Sequence, residues 1–145
     1  MTGFLGKEPL TSDIGLILEI IVIIALLVGR FKFARQKKFA AHGRVMALTV
    51  ALHAVSVLLI MVPSLGVSWD LFIENYSTPS VLITWIHVPL GALALILGAY
   101  LVLSWRFRSV NETCYKRAKL MRPLWLLWLV SLLIGLYVFA TIAFY

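Results

Sequence analysis

Residues 81–103 read VLITWIHVPLGALALILGAYLVL, 23 consecutive positions with no Asp, Glu, Lys or Arg and a single histidine, His87. At about 1.5 Å of rise per residue, roughly 20 helical residues cross a hydrocarbon layer about 30 Å thick, so this run is long enough to span a bilayer. Three more apolar runs follow the same logic: Ile14 to Val28, Val45 to Val62 and Leu124 to Phe144. The first of these is short and becomes a full span only when Leu10 to Asp13 and Gly29 to Phe33 are added, with Arg30 and Lys32 snorkelling to the headgroups. With 62% hydrophobic residues, 13% charged residues and a mean hydropathy of +1.00, a soluble 145-residue domain would be coated in exposed apolar surface. None of the runs alternates as a barrel strand does, and an open sheet cannot face lipid. The expectation is an all-α integral membrane four-helix bundle, one transmembrane domain over 1–145 with helices near 11–33, 43–63, 80–105 and 122–144.

Charge placement gives the orientation. Arg30, Lys32, Arg35, Lys37, Lys38 and Arg44 join the first two helices, and Arg106, Arg108, Lys116, Arg117, Lys119 and Arg122 join the last two, which accounts for twelve of the 13 basic residues. With four spans both connections lie on one side, cytoplasmic by the positive-inside rule, and both termini and the segment from Pro63 to Ser80 face outward. Lys7 and Glu8 cancel ahead of the first run, so that run reads as a retained helix rather than a cleaved leader. The expected location is the prokaryotic plasma membrane, as a multi-pass protein. The net charge of +7 then reports topology and contact with anionic lipid headgroups, and no basic domain stands apart for nucleic acid. Cys114 is the only cysteine, which excludes an intrachain disulfide, a Cys-x-x-Cys pair and a covalent haem attachment site.

The helix faces carry the chemistry. His42, Met46, Thr49, His53, Ser56 and Ile60 follow at spacings of three and four, so they form one stripe of the second helix, with the two histidines three turns and about 16 Å apart. His87, Gly91, Ala94 and Gly98 form a matching stripe on the third. Small residues below a histidine let another helix backbone or a flat porphyrin come close, so this stripe reads either as a packing seam or as a cofactor face. Pro89 frees the carbonyl of Trp85 and tends to kink the helix at His87. Ionisable residues within spans are functional candidates by default. His53 and His87, offset by roughly 5–8 Å in depth by helical rise, could act as paired axial ligands of a b-type haem if tilt or the kink absorbs the offset, with His42 or Met46 completing a second, inner site. As structural alternatives, the imidazoles would only hydrogen-bond between helices. A closed zinc site lacks the ligands, whereas copper would suit His42, Met46 and Cys114. Glu19, about two turns beyond the expected N-cap Asp13, reads as a proton relay or histidine partner, or as a hydrated carboxylate near the outer interface. Trp69 and Trp85 mark the outer border and Trp105 and Trp125 the inner one, Trp128 lies deep enough to pack on a cofactor, and Ser131 and Gly135 indicate close helix contact.

The segments His42-Gly43-Arg44-Val45-Met46-Ala47, Trp85-Ile86-His87 followed by Pro89-Leu90, and Cys114-Tyr115-Lys116-Arg117-Ala118 leading to Pro123-Leu124-Trp125 resemble the CtaM-like (YozB-like) family of oxidase-maturation membrane proteins. The similarity runs from about Gly29 to the C terminus. It implies a small multi-helix membrane protein associated with the maturation of haem-copper terminal oxidases, working near haem or copper. His42 and His87 match family histidines, Cys114 stands where the family usually has histidine, and His53 is an addition.

Three readings result. The first is a membrane b-type cytochrome carrying electrons in a respiratory chain, with His53, His87 and His42 as haem-iron ligands, Met46, Gly91 and Gly98 at the cofactor, and a quinone or respiratory-complex subunits as partners. The second is an oxidase-assembly factor that binds haem or copper transiently through His42 and His87, with Cys114 as a further candidate. The third is a cofactor-free structural subunit. No Gly-rich phosphate loop or Ser-His-Asp arrangement is present, which favours an electron carrier or accessory protein, as a homo-oligomer or in a larger complex, over a stand-alone enzyme.

Overall fold

A computed structural model describes residues 10–105 and 117–144, all in helices and the turns that join them. Helix α1 (Leu10–Leu27) runs without a break into a π-helical turn, Val28–Ala34. The chain reverses at Lys37, whose φ of 56° lies in the left-handed region. Helix α2 (Phe39–Ser56) continues through a second π turn, Val57–Met61, into α3 (Val62–Val67). Pro63 explains the second widening: its ring clashes with the carbonyl four residues back and it offers no N–H, so the preceding turn expands. A short α4 (Trp69–Glu74) precedes the two longest helices, α5 (Pro79–Trp105) and α6 (Ala118–Phe144).

Four segments are long and apolar enough to cross a membrane: Leu10–Lys32, Phe39–Val67, Pro79–Trp105 and Ala118–Thr141. The expected 43–63 and 122–144 helices each begin four residues earlier, at Phe39 and Ala118, and the former also runs four residues further, to Val67. Helix α1 packs on α2 and α6, and α5 packs on the same two, so the four long helices close a ring. Val22, Leu26, Ala94, Leu101, Leu124, Trp128 and Leu132 fill its centre.

Polarity is reversed relative to a soluble bundle. Leu59 and Leu103 are 70% and 71% exposed, whereas Glu19, Thr49, His53, Ser56 and Ser131 are buried. Apolar side chains outward and polar ones inward is the arrangement that lipid, not water, stabilises. Asp13, expected to cap the first helix, instead lies within its first turn and is fully buried.

Candidate functional site

Two cavities occupy the bundle along its length, and the histidines divide between them. The one toward the N-terminal end of α1, called outer after the expected orientation, has about 400 Å³ and is lined by Glu19 from α1, His53 from α2, His87 and Gly91 from α5, and Gly135 from α6. The inner one, of about 300 Å³, is lined by His42 and Met46 from α2, Gly98 from α5, and Trp128 from α6, among others. Both volumes fall in the range of roughly 300–1,000 Å³ found for small-molecule sites.

His87 is held by its backbone neighbours. Its Nδ1 lies 3.0 Å from the carbonyl oxygen of Ser131, and because a carbonyl can only accept, Nδ1 carries the proton and donates it. In the neutral ring this leaves the Nε2 lone pair available to a guest. The sequence makes the bond possible through Gly135. In an α-helix the Ser131 carbonyl already points toward residue 135, and a Cβ there would sit 2.8 Å from His87 Cε1. The same Cβ would meet the Glu19 carboxylate oxygens at 2.9 and 3.0 Å. The imidazole and the carboxylate thus converge on one bare backbone position, and Glu19, only 5% exposed, is a buried group of this cavity rather than a hydrated one at the interface.

His53 is 2% exposed, and neither of its ring nitrogens has a hydrogen-bond partner among the described residues. An unsatisfied buried polar group costs about 1–3 kcal/mol, so this ring carries two unmet hydrogen-bonding positions. Its one close ring neighbour is Trp128, with centroids 5.4 Å apart and planes tilted by 59°. The Trp128 indole rests on Gly98, where a Cβ would come within 2.5 Å of the ring. Trp128 therefore lines the inner cavity while touching His53, which lines the outer one, and the space above Gly98 is taken by an indole. Gly91 faces the Ser131 hydroxyl, 3.3 Å from where a Cβ would stand. The His87, Gly91, Ala94, Gly98 stripe packs α5 against α6, with its two ends reaching the two cavities.

His42 repeats the arrangement of His87: Nδ1 donates to the carbonyl oxygen of Gly29 at 2.9 Å, which leaves Nε2 available to a guest. Gly29 lies in the π turn of α1, and a Cβ there would collide with the Met46 methyl. His42 and Met46 thus meet at one glycine beside the inner cavity. The structure brings His53, His87 and Glu19 to one site and His42 and Met46 to another. Cys114 lies outside the described residues.

Among the described residues, no three His, Cys, Asp or Glu side chains gather as a ligand set for a metal ion. Two imidazoles suffice only where the guest supplies the remaining donors, as a porphyrin does with four nitrogens. That the carbonyls of Gly29 and Ser131 in particular anchor His42 and His87 was not read from the sequence. Their available signals were Gly29, and Gly135 four residues after Ser131, since a glycine one turn on uncovers a helical carbonyl. No family model, no curated protein and no solved structure matches the chain.

Proposed function

We propose that the protein is a multi-pass membrane protein that binds a b-type haem in its outer cavity and carries electrons. The observation that carries this reading is the pair of imidazoles from α2 and α5 lining one cavity, one with both ring nitrogens unpartnered and the other with only Nδ1 engaged. His53 and His87 would hold the haem iron. The haem supplies one-electron chemistry, with a potential set by its ligands, by burial and by nearby hydrogen bonds. The Ser131 carbonyl orients His87, Trp128 packs against His53, and the apolar walls exclude water. Glu19 stands where a proton can be exchanged beside the site. The apolar exterior supports insertion in the bilayer, and the basic connection between the first two spans supports placing both termini outward, in a prokaryotic plasma membrane. A quinone or a respiratory-complex subunit is the electron partner.

The test is an absorption spectrum of the detergent-purified protein with and without dithionite. A Soret band that sharpens on reduction, with split α and β bands, is expected, and His53→Ala or His87→Ala abolishes it. A colourless protein after haem reconstitution, or an unchanged spectrum in both variants, overturns the reading.

The meeting of His42 and Met46 at Gly29 favours a second reading, in which nitrogen and sulfur donors hold haem or copper transiently and the chain serves oxidase assembly, as the CtaM-like resemblance implies. On that reading, deleting the gene lowers terminal-oxidase activity while the purified protein holds its metal substoichiometrically.

A further inference from the structure

The inner cavity has features that the outer one lacks. Arg30, from the π turn after α1, and Arg122, from the first turns of α6, both contribute to its lining, and no carboxylate lines it among the described residues. Arg30 is held in place: its guanidinium lies over the Trp125 ring at 5.8 Å from the centroid, and Trp125 is tethered by its indole N–H to the Leu26 carbonyl at 3.4 Å. Arg122 precedes Trp125 by three residues, on a neighbouring part of the same helix face. Both arginines are exposed on the outside of the bundle, so they stand at the mouth, while the interior is apolar and aromatic. On the other side Trp105 lies against Gly43, where a Cβ would collide with the indole, so α2 and α5 are sealed there by flat contact.

We infer that this cavity is a binding site for an amphipathic anion, with its carboxylate or phosphate head between Arg30 and Arg122 and its apolar body inside the bundle. Guanidinium groups match such heads by paired, charge-assisted hydrogen bonds. Apolar walls ending in a cationic mouth exclude a wholly polar anion, which would leave its own hydration unreplaced. Two sources present this chemistry: an acidic membrane lipid, and the carboxylate-bearing edge of a porphyrin. The site does not depend on the outer cavity holding haem.

Trp105, Trp125 and Trp128 line the cavity and report its occupancy. The probe is 9,10-dibromostearate, which quenches tryptophan emission, compared with its uncharged methyl ester on the detergent-purified full chain. Saturable quenching is expected with the acid, at least about tenfold tighter than with the ester, and the Arg30→Gln/Arg122→Gln variant should lose that preference. These substitutions lie on the bundle surface, and the acid-to-ester ratio on the unaltered protein needs no variant. Equal affinity for acid and ester, or an unchanged preference in the double variant, overturns the inference. Two further arms distinguish the sources. An acidic lipid co-purifying with the protein and displaced by the probe points to the membrane. A haem that persists in His53→Ala, is lost in His42→Ala and competes with the probe points to a porphyrin.

Discussion

Gly135 is the residue on which the outer site turns. Alanine there places a methyl group 2.8 Å from His87 and within 3.0 Å of Glu19, so the imidazole must leave the Ser131 carbonyl or α6 must move away. Overpacking of this kind costs about 1–3 kcal/mol. Gly135→Ala is expected to lower haem retention severalfold and weaken the Soret band, while Gly66→Ala, at a position with nothing within 4 Å, leaves both unchanged; equal haem content in the two variants counts against the role given to Gly135. The stripe of His42, Met46, Thr49, His53, Ser56 and Ile60 was legible from spacing alone, and Thr49, His53 and Ser56 are indeed buried. The partners of those side chains were not legible. Gly135 is 48 positions from His87 in the chain, and no local pattern encodes which carbonyl a ring will meet.

At the scale of elements, the contact between α5 and α6 depends on flat surfaces. The Trp128 indole lies on Gly98 as Trp105 lies on Gly43, so each large ring is matched by a glycine on the opposing helix, the close-approach device of membrane helices. Gly98→Leu drives a side chain into the Trp128 ring and so disturbs the cavity that both residues line. A stability loss of about 1–3 kcal/mol is expected, read as a lowered Tm in detergent, together with a shift in tryptophan emission. If Tm and emission are both unaltered, the indole does not rest on that glycine. The four helices were legible because a run of about 20 apolar residues leaves the backbone few other solutions in lipid. The extension of the second helix to Val67 was not, because Pro63 reads as a helix stop in isolation. Widening the preceding turn over Val57–Met61 lets the helix continue.

For the whole molecule, orientation is the prediction that composition carries. In a Cys114→Ser background, a single cysteine at Thr78 is expected to react with a membrane-impermeant maleimide added to intact cells, and one at Lys38 only after lysis. The opposite pattern would invert the bundle and place the arginine-mouthed cavity outside. The two cavities, one near each end of the ring of helices, are a property of the assembled molecule: Trp128 lines one of them, and the same indole stands beside His53, which lines the other.

The sequence by itself determined the number of long apolar helices and the polar stripe of the second, because hydrophobic run length and helical periodicity are local and additive. Only the tertiary structure decided that His53 and His87 share a cavity with Glu19, that His42 and Met46 belong to another, and that backbone carbonyls of Ser131 and Gly29 hold two of the rings. Those outcomes depend on the rotation and depth of each helix against its neighbours. Packing of glycines under distant aromatic rings sets both quantities, and no single segment contains them.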